Sequence, residues 1–218
     1  LSLHDALPIS AHASSGVSAR GTYAGVMEKI PYLKELGITA VELMPVTEFD
    51  EIMMSSSGSS FHNAKQEPTG YLNYWGYGPS YLYAVKTAYA SRETMSAEGE
   101  FKTLVKELHK AGIECIPEMY FTGKELPGEI LSVLRYWVEE YHVDGFHLTG
   151  FPDLSLAAED PFLKRTKLFA ENWNEVMNRR PKQGYVTPGD GAVSVEEKNL
   201  AEYNMQFMED MRRFLKGD

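Results

Sequence analysis

The run from Asp144 to Gly150 contains two side chains whose types and spacing could do chemistry. Alternate side chains of a β-strand point to the same face, so His147 and Thr149 are expected on one face of a strand here. A threonine hydroxyl becomes a nucleophile only beside a base such as a histidine or an amine. The alternative interpretation of His147 is a hydrogen-bonded histidine in a core or a cleft.

The elements that position this strand alternate between helix and strand along the chain. Apolar residues spaced three and four apart predict helices, and β-branched apolar runs predict strands. Helices are predicted at residues 22–36, 98–110, 130–141 and 197–215, and strands at residues 38–44, 113–119, 143–149 and 165–170. Residues 51–70 are rich in serine and glycine and are predicted to form an exposed loop. Short connections between alternating elements indicate parallel β/α units.

Composition excludes several classes of function. A net charge of −10 argues against binding to nucleic acid or to an anionic membrane, because phosphate groups are bound by basic surfaces. No apolar stretch approaches the roughly 20 residues of a membrane helix, and no signal peptide is recognisable. The single cysteine, Cys115, is expected to be a buried strand thiol. We therefore expect a cytoplasmic protein.

The predicted domain begins after about residue 20. Leu1 to Ser10 looks like translated sequencing-adapter sequence, and residues 1–20 are interpreted as a non-native or disordered leader. Residues 21–218 then form one domain of the α/β class. A closed parallel (β/α)8 barrel needs about 250 residues, so this domain could supply only part of one.

Five segments carry a recognisable pattern when taken in their order along the chain: residues 21–25, 32–46, 73–77, 134–146 and 207–218. Together they resemble the α-amylase family of glycoside hydrolases (family 13). Their likeness is to the debranching branch, which includes isoamylase, pullulanase and glycogen-debranching enzymes. The resemblance implies a partial TIM barrel with about strands 2–6 and their helices, truncated at both ends.

The same resemblance implies roles for individual residues. Glu171, followed by Trp173 after one residue, matches the family's acid/base glutamate. Retaining enzymes of this kind place a nucleophilic carboxylate about 5–5.5 Å from the acid. The aromatic residues Tyr74, Trp75 and Tyr77 are expected to offer ring faces to glucose units. Their alternative is ordinary packing of a loop. Glu118 and Trp173 complete the expected substrate-binding residues.

The sequence departs from the family pattern where the chemistry is most demanding. Thr149 stands at the position of the nucleophilic aspartate, and His147 stands at the position of the motif arginine. Glu118 replaces an aspartate, and Thr122-Gly123 replaces the Asn-His pair that follows it. An oxocarbenium-like transition state needs a negative charge beside it, which a threonine does not supply.

These observations lead to one expectation and two alternatives. We expect an α-glucan-acting protein of the glycogen-debranching type that is catalytically impaired. The first alternative is an active retaining hydrolase that uses Glu171 with a displaced carboxylate such as Glu118. The second is a truncated half-barrel without function. The expected partner is an α-glucan or maltooligosaccharide. No cofactor and no metal are expected, and Asp153, Asp160 and His62 are interpreted as surface residues.

Overall fold

The centre of the protein is a sheet of six parallel strands in a computed structural model. The structure describes residues 2–3, 15–57, 65–91, 96–150, 152–154, 156–170 and 199–217. With the strands numbered in chain order, the order across the sheet is β1 (Ser2–Leu3), β2 (Ala40–Leu43), β7 (Glu114–Phe121), β8 (Gly145–Gly150), β9 (Lys167–Ala170) and β10 (Leu200–Glu202). All five pairings are parallel.

Helices connect the strands of this sheet and cover one of its faces. They are α1 (Tyr23–Glu35), α2 (Ala97–Ala111) and α3 (Pro127–Tyr141), and a further helix, α4 (Met205–Lys216), follows β10. The prediction of parallel β/α units is therefore confirmed. No helix in the described part of the chain has the length and apolar character needed to cross a bilayer.

Local sequence signals fix the ends of the helices. The hydroxyls of Thr22 and Ser96 accept hydrogen bonds from backbone N–H groups at the starts of α1 and α2. Gly112 ends α2 in a left-handed conformation with φ of 76°, which suits glycine because it lacks a Cβ. Gly37, the predicted stop of the first helix, has φ of 75° just beyond α1.

The two faces of the sheet differ sharply in character. On the helix-covered face, buried apolar strand residues such as Val41, Phe146 and Leu148 join one cluster with Leu104 and Trp137 of the helices. The opposite face carries buried polar side chains at several of the alternate strand positions, beside Ile116 and Phe169. This alternation places chemistry on one face and the apolar core on the other.

Cys115 is fully buried in β7 and belongs to the apolar cluster. Its prediction as a buried strand thiol is confirmed. Burial, reinforced by the nearby Asp144 carboxylate, raises the pKa of the thiol well above its ordinary value.

The prediction of an exposed loop at residues 51–70 is wrong in calling residues 52–57 and 65–70 a loop, whereas residues 51–53 and 69–70 are exposed as expected. Strands β4 (Ile52–Ser57) and β5 (Lys65–Leu72) pair antiparallel there, and β3 (Thr47–Phe49) pairs antiparallel with β6 (Ser80–Val85). Serine and glycine composition misled the prediction, because backbone pairing between neighbouring chain segments needs no apolar pattern.

The predicted helix at 197–215 is correct only in its second half. Residues 200–202 form β10, which pairs with Leu168 to Ala170 of β9, and the helix begins at Met205. Leu200 and Tyr203 fall at helical spacing from Phe207, which extended the predicted pattern backwards. The side chain of Asn204 caps α4 by accepting a hydrogen bond from the Phe207 N–H.

The interpretation of Asp160 as a surface residue is also wrong. Asp160 is only 6% exposed and forms an ion pair with Arg135 of α3. Burial raises the pKa of this carboxyl, but hydrogen bonds from Arg135 and from the Leu163 N–H outweigh burial and lower it overall. Asp153 is exposed, as expected, and His62 lies outside the described residues.

The first 20 residues are described in two parts. Ser2 and Leu3 pair with Glu42 and Leu43 at one edge of the sheet. Val17 is 5% exposed, and the Ser18 hydroxyl and N–H donate to the Glu28 carboxylate. Residues 4–14 lie outside the described residues, and the non-native leader stays a prediction.

Candidate functional site

The polar face of the sheet brings together residues from three adjacent strands. Glu42 is paired with Ile116, and Glu118 is paired with His147, so side chains at these levels share the face opposite the helices. Glu118 is fully buried and His147 is 5% exposed. One potential ligand atom from each of Glu42, Glu118 and His147 lies within 4.8 Å of the other two.

Glu42 holds His147 in place. Its Oε1 lies 2.6 Å from the Nδ1 of His147, and its Oε2 accepts a hydrogen bond of 2.6 Å from the Tyr203 hydroxyl. The Tyr203 ring also packs on the imidazole, with ring centroids 4.5 Å apart. His147 is therefore a buried, hydrogen-bonded histidine, which matches the alternative interpretation of this residue.

The hydrogen bond between Tyr203 and Glu42 also shows that the sheet is curved. Tyr203 directly follows β10, and three strands separate β10 from β2. In a flat sheet that interval spans about 19 Å, which is more than a tyrosine and a glutamate side chain can bridge. The sheet must therefore curl strongly around its polar face.

An aromatic loop between β5 and β6 lies beside this polar face. The Asn73 side chain donates to the carbonyls of Asp50 and Tyr77 and accepts from the N–H of Gly76. Gly76 has φ of 74°, and a Cβ there would lie 2.7 Å from the ring of Phe49. Asparagine and glycine thus give the loop a defined shape, with Tyr74 and Trp75 each about half exposed.

Tyr77 connects the aromatic loop to the buried carboxylate. Its ring stacks on Tyr120 of β7 with centroids 5.0 Å apart, and on Trp75 with centroids 6.4 Å apart. Its hydroxyl donates to Oε1 of Glu118 over 2.7 Å. Exposed ring faces and a buried carboxylate therefore belong to one contiguous arrangement. An apolar wall with a few oriented polar groups is the usual composition of a small-molecule site.

Thr149 lies two residues beyond His147 on the same strand, as the sequence predicts. Its side chain is buried, and its hydroxyl donates to the carbonyl of Met119 at 3.5 Å. Tyr120 is the residue paired with Thr149 on β7, whereas Glu118 is paired with His147. Glu118 therefore lies two residues before the level of Thr149, which is about 6.6 Å along the strand direction.

Two predicted site residues are not described by the structure, and two residues of the observed site were not predicted. Glu171 and Trp173 lie outside the described residues, and Glu171 directly follows Ala170, the last residue of β9. Glu42 and Tyr203 were not predicted from the sequence. The alternation in β2, where Glu42 is the charged member of an otherwise apolar strand, was the one available signal for Glu42.

Comparison with known proteins identifies what the chain is similar to. The family model described as "Alpha amylase, catalytic domain" matches residues 7–121. Isoamylase 3, chloroplastic, from Oryza sativa subsp. japonica is 31% identical over 96% of this chain and 33% of its own length. A glycogen operon protein GlgX homolog from Haemophilus influenzae is 31% identical over 89% of this chain and 35% of its own length.

Solved structures show the same fold. Pullulanase type I from Bacillus subtilis, complexed with maltose, superposes with a TM-score of 0.62 at 21% identity. That match covers 95% of this chain and 35% of the pullulanase. A Group B Streptococcus pullulanase in complex with maltotetraose gives a TM-score of 0.56 at 19% identity, covering 79% and 28% of the two chains. The chain spans about a third of the length of the curated relatives it matches.

Proposed function

The chain belongs to the α-amylase family of glycoside hydrolases, in its debranching branch, and from that membership we propose that it binds α-glucans without efficient cleavage. The proposed ligand is a maltooligosaccharide or a glycogen-like chain. The proposed binding surface is the aromatic loop with Tyr74, Trp75 and Tyr77. The proposed loss of cleavage follows from Thr149, which occupies the position of the family's nucleophilic aspartate.

One observation carries the binding proposal. Tyr77 stacks between Trp75 and Tyr120 while its hydroxyl bonds to the buried Glu118. The rings therefore have fixed orientations, and Trp75 remains 47% exposed for contact with a ligand. The C–H face of a glucose ring packs well on such a surface, and neighbouring polar groups can take its hydroxyls.

The curled sheet supports the further proposal that the fold is a partial (β/α)8 barrel. Three features of the described residues are typical of barrel geometry: parallel strands, helices packed on one face of the sheet, and the Tyr203–Glu42 contact across the other face. In such a barrel, sites are built at the C-terminal ends of the strands. Glu118 and Thr149 lie in the C-terminal halves of their strands, and His147 lies at the middle of β8.

The surroundings of Thr149 support impairment. Its hydroxyl is directed to a backbone carbonyl. His147 has its Nδ1 against Glu42. A neutral hydroxyl cannot stabilise a developing oxocarbenium ion as a carboxylate does, and losing a catalytic group of this kind typically costs on the order of 10⁴-fold in rate.

Calorimetric titration with maltohexaose tests the binding proposal. We expect saturable binding by the wild-type chain and a loss of about tenfold or more in affinity for the triple variant Tyr74/Trp75/Tyr77→Ala. Tyr81→Ala is the matched control, since Tyr81 is an aromatic residue of β6 with 76% exposure. Circular dichroism confirms that each variant is folded. Equal maltohexaose affinity of the triple variant and the wild type would refute the proposed binding surface.

An active retaining hydrolase is the second candidate function, and the burial of Glu118 close to His147 is the observation that favours it. It requires Glu171 as acid/base and Glu118 as a displaced carboxylate. Release of reducing ends from pullulan or glycogen, abolished by Glu171→Gln and by Glu118→Gln, would establish this function and remove the impaired one. The offset of Glu118 from the Thr149 level weighs against it.

A partial barrel without function is the remaining alternative. An open partial barrel leaves sheet edges unpaired, which favours aggregation. A chain that unfolds without a cooperative transition and gives no heat with maltohexaose would support this alternative. A cooperative transition together with saturable binding would exclude it.

A further inference from the structure

We infer that Lys86 is the residue that positions the aromatic loop for a glucan, by holding residues 48–51 against which that loop packs. Lys86 directly follows β6 and is only 2% exposed. The inference deepens the proposed glucan-binding surface and rests on that proposed function for its ligand. The hold of Lys86 on the loop can also be measured without a ligand.

Three oxygen atoms of one short segment surround the ammonium group of Lys86. Its Nζ donates to Oε1 of Glu48 over 2.7 Å and to the carbonyl of Phe49 over 2.8 Å, and it forms an ion pair of 3.2 Å with Oε1 of Glu51. A lysine ammonium has three N–H donors, so these three oxygens match its hydrogen-bonding capacity. The Nζ also lies 4.4 Å from the centroid of the Phe49 ring, within the range of a cation–π interaction. One buried charge therefore holds residues 48–51 in a single conformation.

The segment that Lys86 holds is also the one that the aromatic loop contacts. The backbone N–H of Asn73 donates to the carbonyl of Glu51 over 2.8 Å, and the Asn73 side chain donates to the carbonyl of Asp50 over 3.2 Å. Gly76 packs on the ring of Phe49, from which a Cβ at Gly76 would lie only 2.7 Å away. Two points of the loop, at Asn73 and at Gly76, therefore depend on residues that Lys86 holds. Lys86 acts on the ligand only through these residues.

Replacing Lys86 with methionine removes the ammonium group and keeps an unbranched apolar side chain that can fill its place. The two carboxylates do not become buried, unpartnered charges in this variant. Glu48 still accepts hydrogen bonds from the N–H and the hydroxyl of Thr87, and the side chain of Glu51 is 57% exposed. The damage is therefore expected at residues 48–51 and at the aromatic loop that contacts them.

Amide hydrogen exchange followed by NMR tests the hold of Lys86 on the loop without a glucan. We expect the amides of Asn73 and Gly76 to exchange about tenfold or more faster in Lys86→Met than in the wild type, because their local opening becomes easier. Arg135→Met is the matched control, since it also removes the cation from an ion pair with a buried carboxylate, that of Asp160. Arg135 belongs to α3, so the two loop amides of Arg135→Met should exchange within about threefold of the wild-type rates.

Calorimetric titration of the same variants with maltohexaose tests the positioning. Lys86→Met is expected to bind about tenfold more weakly than the wild type, and Arg135→Met within about threefold of it. Unchanged loop exchange in Lys86→Met, or faster loop exchange with unchanged affinity, would overturn the inference. An equal loss of affinity in Arg135→Met would assign the effect to general destabilisation and overturn it as well. If the wild type binds no maltohexaose, the proposed function fails, and the exchange rates alone decide whether Lys86 holds the loop.

Glu51→Gln keeps the inference testable where Lys86→Met does not fold. The Glu51 side chain is more than half exposed, so the substitution is compatible with the fold, and it removes one of the two charges that hold the ammonium group. The amides of Asn73 and Gly76 are expected to exchange about threefold faster in this variant. Wild-type exchange rates for both amides would overturn the inference.

Discussion

Removing the hydroxyl oxygen of Tyr77 is expected to lower the stability of the protein and to leave its proposed glucan-binding surface nearly intact. Tyr77→Phe deletes the hydroxyl that donates to Glu118 at 2.7 Å and leaves the ring that stacks on Trp75 and Tyr120. Removing one partner of a buried hydrogen bond typically costs about 1–3 kcal/mol, because the other partner is left unsatisfied. Glu118 is fully buried, so water cannot replace the lost donor without rearrangement. We expect the free energy of unfolding to fall by about 2 kcal/mol.

Thermal unfolding followed by circular dichroism measures this effect. For a chain of this size, about 2 kcal/mol corresponds to a decrease in Tm of about 4–8 °C. Tyr81→Phe, at a position that is 76% exposed, serves as the control and should leave Tm within about 1 °C. The maltohexaose affinity of Tyr77→Phe should stay within about threefold of the wild type, because the stacking faces persist. An unchanged Tm for Tyr77→Phe would refute the account of this contact.

Three further predictions concern the scaffold around the site. Gly145→Ala should destabilise the protein by about 1–3 kcal/mol in urea unfolding, because a Cβ there would lie 2.6 Å from a backbone carbonyl oxygen of β9. Gly128→Ala is the control and should not destabilise the protein, because the space around Gly128 is open. Cys115 should resist labelling by a thiol reagent until the chain is unfolded, since it is fully buried, and rapid labelling of the native chain would contradict its placement. Asp160→Asn should lower the free energy of unfolding by on the order of 1–2 kcal/mol at pH 7. The pKa of Asp160 is lowered in the folded state. The difference in the free energy of unfolding between the wild type and Asp160→Asn should therefore be full above the unfolded-state pKa of about 3.9 and vanish as the pH falls through the folded-state pKa. A difference that persists at lower pH would contradict the role of the Asp160 charge.

The sheet and its helices could be predicted because their apolar patterns are strong. Helix α2 was predicted at 98–110 and observed at Ala97–Ala111, and β7 was predicted at 113–119 and observed at Glu114–Phe121. The antiparallel pair β4 and β5 was missed because its serine-rich sequence lacks an apolar alternation. The short strand β10 was missed because its residues continue the helical spacing of α4.

The site was predictable only where residues lie close together in the sequence. His147 and Thr149 share a face because two residues span one strand repeat, and the aromatic loop is one continuous segment. Glu42 reaches His147 from another strand, and Tyr203 reaches Glu42 across a curled sheet. Such contacts depend on the order and curvature of strands, which a single sequence pattern does not encode.

The central claim is that the chain holds an α-glucan without cutting it, and recovery of the ligand after saturation tests this most directly. Maltohexaose is titrated into the chain to saturation, incubated and then analysed by mass spectrometry. The account predicts saturable binding and maltohexaose recovered intact. If the wild-type chain produces shorter glucans and Glu171→Gln does not, the proposed catalytic impairment is contradicted. If maltohexaose does not bind, the proposed recognition of α-glucans is contradicted.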